Sequence, residues 1–240
     1  MHTLPHSVSA LALLTIDLMG QYPPESPPNG AIDYKTFAGF GVLIHWLRDD
    51  GSLAFRLETA VTGRHPKGRE MLDGLEDALT GVGVLAAYDL YGCALTIIAH
   101  VAEMDNYTGL TALGSAAAEQ LCDLSEATRR CETEPFEATA GKAGIATVPA
   151  TVVAQLQWYG PLFEQHATAV LGQQAIATWR LWLYRHVEQT GDVAWGDAAR
   201  VQLERWLETK PLPLTDRNGD PLPLAIVATA AATVANPAMD

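Results

Sequence analysis

The chain has 240 residues, of which 48% are hydrophobic and 18% are charged. This composition suits a packed core of one large or two small domains and excludes global disorder. The formal net charge is −13, from 28 acidic residues against 15 Lys and Arg. Such an acidic balance disfavours tight binding to nucleic acid or to anionic membranes, because both require a basic surface.

The cysteines and the N-terminus indicate the compartment. Cys93, Cys122 and Cys131 show no CxxC or paired spacing, which is typical of reduced thiols in a cytosolic protein. Residues 1–5 lack the basic region of a signal peptide. The sequence contains no run of about 18 uncharged apolar residues, so it predicts no transmembrane helix. We therefore expect a cytoplasmic protein with no membrane partner.

The first quarter of the chain has the pattern of strands. Residues 11–17 form an almost continuously apolar run, typical of a strand buried on both faces. The proline-rich residues 21–30 then predict a loop. Residues 39–47 and 52–59 flank an Asp-Gly pair at positions 50–51, which predicts a hairpin.

The middle of the chain alternates between helix and strand patterns. Residues 70–79 have the apolar spacing of an amphipathic helix. A second buried strand is predicted over 84–88, a helix over 93–104, and a third strand over 121–124.

The second half of the chain is predicted to be helical, over residues 136–143, 152–158, 163–188 and 197–208. Its tryptophans are expected to pack in the core: Trp179, Trp182, Trp195 and Trp206. Strands followed by helices predict an α/β fold, a mixed sheet flanked by helices with a helical C-terminal half. Residues 1–210 form the predicted domain and 211–240 a C-terminal appendage.

Several segments carry motifs in a recognisable order. The first strand ends in Leu-Thr-Ile-Asp-Leu-Met at 14–19, and the second runs into Ala-Tyr-Asp-Leu-Tyr-Gly-Cys-Ala-Leu at 87–95. Cys-Asp-Leu follows at 122–124. The long helix reads Gln-Ala-Ile-Ala-Thr-Trp-Arg-Leu-Trp-Leu-Tyr-Arg at 174–185. This order resembles the DEDD 3′-5′ exonucleases of the ribonuclease-H-like fold, particularly the predicted exonucleases related to proofreading domains of family B DNA polymerases. The resemblance covers residues 10–208.

The resemblance also implies where the catalytic carboxylates should stand. Four carboxylates in these enzymes hold two divalent metal ions that activate water. Asp17 matches the first aspartate, whereas the remaining three positions are Met19, Ala94 and Gln174. Because these three side chains are neutral, the resemblance implies a vacated metal site with Asp17 as a weak remaining metal ligand.

Three hypotheses follow. The leading one is a catalytically degenerate exonuclease-like domain with a binding or assembly role and no cofactor. The first alternative is an active 3′-5′ exonuclease, dependent on Mg²⁺ or Mn²⁺, in which Asp17, Asp89 and Asp123 are the catalytic residues. The second alternative is a homo-oligomeric scaffold. The candidate partners are therefore weakly bound nucleic acid, another protein, or a second copy of the chain.

Overall fold

In the computed structural model, the residues described are 6–17, 35–61, 68–81, 83–99, 108–113, 118–125, 134–149 and 163–209. They form an α/β fold, a mixed five-stranded sheet with helices on both faces. The predicted fold class is thereby confirmed at this level. The helix predicted over 152–158 and the appendage predicted over 211–240 lie outside the described residues.

The sheet combines an antiparallel half with a parallel half. Its strands are β1 (Ser7–Asp17), β2 (Lys35–Leu47), β3 (Leu53–Val61), β4 (Val84–Ala87) and β5 (Leu121–Asp123). They lie in the order β3-β2-β1-β4-β5. Strand β2 is antiparallel to β1 and β3, whereas β4 is parallel to β1 and to β5. The carboxyl ends of β1, β4 and β5 therefore point the same way.

The predicted hairpin connects β2 to β3. Gly51 has a φ of +79°, which glycine adopts without a steric penalty. The Gly51 N–H donates to the Arg48 carbonyl at 2.9 Å, and the Arg48 N–H donates to the Ser52 carbonyl at 2.8 Å. The Asp-Gly pair therefore marks the turn as expected.

Four of the helices match predicted segments, whereas the short helix at 108–113 was not predicted and the helix predicted over 93–104 is preceded by a π-helical turn. They are α1 (Gly68–Leu79), α2 (Thr108–Leu113), α3 (Phe136–Lys142), α4 (Phe163–Thr190) and α5 (Val193–Glu208). A π-helical turn spans Leu90–Ala94, and the chain continues as α-helix to residue 99. Ala118–Gln120 forms a single 3₁₀ turn before β5.

Each face of the sheet has its own core. Helix α4 covers one face, where Val170 and Leu171 pack with Val8 and Ala10 of β1. Close approach requires glycine in β2, since a Cβ at Gly41 would lie 2.8 Å from the carbonyl carbon of Leu171.

The opposite face is covered by α1 and the helical turn after β4. There Leu72, Leu75 and Leu90 pack against Leu11 and Phe40. Successive residues of a strand point to opposite faces, so both faces of β1 are apolar and buried.

Aromatic residues occupy the core beneath α4. Trp179 and His45 are both buried, and the indole Nε1–H of Trp179 donates to Nδ1 of His45 at 2.7 Å. Trp182 lies between His45 and His186, with ring centroids 5.2 Å from each. Burial, followed by the positive charge of His186, lowers the pKa of His45 from 6.5 to about 3. The predicted core role of Trp179 and Trp182 is confirmed.

Candidate functional site at the ends of strands β4 and β5

The parallel half of the sheet brings two predicted carboxylates together. Asp123 ends β5 and pairs with Ala87, the last residue of β4. Asp89 follows Ala87 by two residues. The negative charge of Asp123 acts on Asp89, and it contributes to a raised Asp89 pKa. Asp89 and Asp123 are therefore neighbours at the carboxyl ends of two parallel strands.

Asp89 has an unusual backbone conformation. Its φ and ψ are 51° and 48°, in the left-handed region, and it is the single non-glycine residue with positive φ in the part of the chain described. The N–H groups of Cys93 and Ala94 both donate to its carbonyl, at 2.9 and 3.1 Å. A strained residue followed by a π turn is a combination found disproportionately at functional sites.

The Asp89 side chain is packed tightly against its own turn. It accepts the backbone N–H of Gly92, and a Cβ at Gly92 would collide with its Oδ1. The pKa of Asp89 is raised mainly by burial and then by Asp123, with the Gly92 N–H opposing both. The carboxylate form is thus less favoured here than in water.

Asp123 is held by the backbone. Its Oδ1 accepts the Ser125 N–H at 2.9 Å, and its Oδ2 accepts the Tyr91 N–H at 3.3 Å. The Tyr91 bond joins the end of β5 to the π turn after β4, and the Ser125 bond closes a local turn. Since a carboxylate has about four lone-pair positions, two backbone donors leave Asp123 with reduced capacity for a metal ion.

Tyr88 connects the site to helix α3. Its hydroxyl donates to the Glu134 carbonyl and lies 2.9 Å from Oγ1 of Thr139. Its pKa is raised by burial first, and then by the charges of Glu134, Asp89 and Asp123. Tyr88 therefore remains a protonated hydrogen-bond donor at neutral pH.

A small cleft of about 150 Å³ opens beside Asp123, lined by Cys122, Asp123, Leu124, Ser125, Arg185 and Gln189. Arg185 reaches it from α4 and lies 3.7 Å from Glu188. Burial and the Asp123 charge raise the pKa of Cys122, while Arg185 opposes them. The cleft is thus lined by the uncharged Cys122 thiol, the carboxylate of Asp123 and the guanidinium of Arg185.

Asp17 is placed differently from the other two candidate carboxylates. Leu11 is the β1 residue that pairs with Ala87, and Asp17 follows Leu11 by six residues in the same strand. Six residues of extended strand span roughly 20 Å. The Asp17 side chain is not described, but the Asp17 backbone lies six residues beyond the level of Asp123, and less far beyond Asp89, which follows Ala87 by two residues.

Two of the three predicted vacated positions, Ala94 and Gln174, lie in different parts of the fold. Met19 lies outside the described residues. Ala94 is 5% exposed and belongs to the core on the α1 face of the sheet. Gln174 belongs to α4, whose neighbouring residues Val170 and Ala175 belong to the core on the other face. The helical segments that carry Ala94 and Gln174 therefore pack on opposite sides of the sheet.

The side chains described at this edge do not by themselves form a two-metal centre. Among the residues described, no group of three His, Cys, Asp or Glu side chains could hold a metal ion. Two divalent cations roughly 4 Å apart need several carboxylates to offset their mutual repulsion, and Asp89 and Asp123 supply only two.

Some residues of this site had no signal in the sequence. Glu134 precedes α3 and Arg185 belongs to α4, and only the packing of these helices against the sheet brings them to this edge. The residue type at position 89 was a weak sequence signal, because aspartate adopts the left-handed backbone conformation more readily than most residues.

Comparison with known proteins found no matching family model, curated protein or solved structure. Within the described part of the chain, no helix is both long and apolar enough to span a membrane.

Proposed function

We propose that this chain is a catalytically degenerate domain of the DEDD exonuclease type, with a binding or assembly role in place of phosphodiester hydrolysis. The observation that carries the proposal is the burial of Ala94 in an apolar core, at the position where the resemblance expects a metal-binding aspartate. A buried methyl group supplies neither a metal ligand nor the charge that a hydrolytic site requires.

The strand arrangement supports a ribonuclease-H-like assignment of the sheet. Such a sheet has an antiparallel meander of three strands followed by two parallel strands, with only the second strand reversed. The order β3-β2-β1-β4-β5, in which β2 alone opposes the others, agrees with this arrangement.

The state of the two neighbouring carboxylates supports loss of catalysis. Asp123 accepts backbone N–H groups through both oxygens, and the pKa of Asp89 is raised by burial and by Asp123. The backbone bonds occupy part of the oxygen lone-pair capacity of Asp123 that a hard cation needs, and a proton on Asp89 would compete with the cation for the same oxygens. The acidic residues at this edge therefore stabilise turns.

The proximity of Asp89 and Asp123 also favours a second candidate, the active exonuclease with displaced carboxylates. These two side chains, joined by Asp17, would hold Mg²⁺ or Mn²⁺. This candidate requires the Asp17 side chain to cover a distance that the β1–β4 register makes large.

An exonuclease assay separates the two candidates. End-labelled single- and double-stranded DNA and RNA are incubated with the protein and either Mg²⁺ or Mn²⁺, and we expect no shortening. Asp123→Asn is the matched variant, because its single amide oxygen still accepts one of the two backbone N–H groups, such as that of Ser125, but the side chain carries no charge. Metal-dependent shortening that is lost in Asp123→Asn would establish the active candidate. Shortening that persists in both Asp123→Asn and Asp17→Ala would identify a contaminating nuclease.

A further inference from the structure

Strand β3 is an outer strand of the sheet. It has nine residues and pairs on one side with β2. In an antiparallel ladder, alternate residues direct both backbone groups toward the neighbouring strand, and the residues between them direct both groups away. The outer side of β3 therefore carries a row of N–H and C=O groups that another strand could bind.

The hydrogen bonds of the hairpin identify the residues that face outward. Arg48 and Ser52 are bonded to each other across the turn, so the next pair, Leu47 and Leu53, is a pair without ladder bonds. In agreement, the Leu53 N–H donates to Oε1 of Gln202 in α5 at 2.6 Å. Counting in steps of two along β3, the residues with outward backbone groups are Leu53, Phe55, Leu57, Thr59 and Val61.

Within the described part of the chain, the outward edge is covered at the end near Leu53. Gln202 binds the Leu53 N–H, and Trp206 of α5 lies against Phe55, with ring centroids 5.8 Å apart. Among the described residues, the outward N–H groups of Leu57 and Thr59 have no hydrogen-bond partner. Leu57 itself is only half-buried. The open stretch of the edge is therefore centred on Leu57 and Thr59.

The charged residues of this edge can form ion pairs with the same residues of a second copy of β3. Arg56 and Glu58 flank Leu57 and lie on the same face of β3. They form an ion pair of 2.9 Å, with side chains 52% and 32% exposed. If a second β3 runs antiparallel about a twofold axis at Leu57, Arg56 of each copy lies opposite Glu58 of the other. Residues in such positions have Cα atoms about 4.5 Å apart, and opposite charges there stabilise the pairing.

Other alignments lack this complementarity. A twofold axis at Glu58 would place two Glu58 carboxylates directly opposite each other, which destabilises a strand pair. An axis at Thr59 would place Glu58 opposite the methyl side chain of Ala60. The charge pattern therefore selects the alignment centred on Leu57.

We propose that a second copy of this chain binds along β3, antiparallel and about a twofold axis at Leu57, so that the two sheets become continuous. The new ladder runs from Phe55 to Thr59 in each copy and ends where Gln202 already occupies the Leu53 N–H. This inference does not depend on the proposed function, because the sites lie at opposite edges of the sheet.

Charge exchange provides the main test. Two variants are made separately, Arg56→Glu and Glu58→Arg. Each variant places like charges opposite each other at both 56–58 pairs of the dimer, and should raise its dissociation constant by about tenfold or more. The double variant Arg56→Glu/Glu58→Arg restores opposite charges and should restore the dimer. An equimolar mixture of the two single variants should form a heterodimer. Sedimentation velocity from about 1 to about 100 μM measures each mass distribution.

A backbone variant gives an independent test. Leu57→Pro removes one outward N–H without removing a bond to β2, since proline at such an edge position costs the internal ladder nothing. It should abolish the dimer, whereas the matched Leu57→Ala, which keeps the N–H, should still dimerise. Circular dichroism checks that both variants remain folded.

The outcomes are distinct. A wild-type chain that stays monomeric over the whole concentration range overturns the proposal. A dimer unaffected by both single charge variants also overturns it, because association would then use another surface. Heterodimer formation in the mixture supports it even if Leu57→Pro fails to fold. None of these results alters the exonuclease assay.

Discussion

The buried His45 side chain should make the protein sensitive to mild acid. Its pKa is about 3 in the folded chain, against an ordinary value of 6.5. As the pH falls below 6.5, the unfolded chain binds a proton that the folded chain does not, so the free energy of unfolding decreases. The decrease continues until the pH nears 3, where the folded chain is also protonated. Between about pH 7.5 and about pH 5, the loss is about 2 kcal/mol.

Asparagine at this position isolates the effect. In His45→Asn, the amide oxygen can take the place of Nδ1, which accepts the indole N–H of Trp179 at 2.7 Å, and the side chain does not titrate. The variant is less stable at every pH because it packs less well, so the informative quantity is the pH dependence. Urea unfolding at the two pH values should show the wild-type protein losing about 2 kcal/mol more than His45→Asn. Equal losses in the two proteins would refute the reasoning.

Three further predictions concern stability, each measured by thermal unfolding followed with circular dichroism. Gly41→Ala should destabilise by about 1–3 kcal/mol, because its methyl group would lie 2.8 Å from the carbonyl carbon of Leu171 and displace α4. The control is Gly74→Ala in α1, whose added Cβ would lie no closer than 3.6 Å to other atoms and which should stabilise the protein by up to about 1 kcal/mol. If Gly41→Ala were the more stable of the two variants, the close packing of α4 on β2 would be contradicted. Asp89→Asn should raise Tm, because it removes repulsion with the Asp123 carboxylate and because asparagine tolerates the left-handed backbone. Asp89→Ala should lower the free energy of unfolding by about 1–2 kcal/mol. Equal Tm values for the two variants would show that the conformation of residue 89 relaxes. Asp192→Ala should cost about 1 kcal/mol, since it removes the acceptor that caps the first turn of α5, and Asp192→Ser should keep most of that stability.

Much of the fold could be predicted because periodicity and turn chemistry are local properties. The apolar run over 11–17 identified β1, but the strand begins earlier, at Ser7. Ser9 is polar yet fully buried, and its strand conformation comes from pairing with Ile44 and Leu85. Similarly, α5 begins at Val193 because Asp192 caps it, although the helix was predicted only from residue 197. Strand and helix ends depend on such tertiary neighbours.

The candidate site was predictable only in part, for a geometric reason. The carboxyl ends of parallel strands meet at one edge, so Asp89 and Asp123 could be expected as neighbours once 84–88 and 121–124 were identified as strands. The register between β1 and β4 could not be inferred, and it determines where Asp17 lies. The contact between Tyr88 and Glu134 spans 46 residues and has no local signature.

The position of α4 on the sheet affects how the protein is made. Its side chains complete the core over β1 and β2, yet it begins at Phe163, long after β2 ends at Leu47. At roughly 5–20 residues per second, the ribosome needs on the order of ten seconds to produce that helix. During this interval, the apolar face formed by Val8, Ala10 and Leu43 has no covering helix. Newly synthesised chains therefore expose this apolar face before α4 is made, and shortened chains that end before α4 should aggregate.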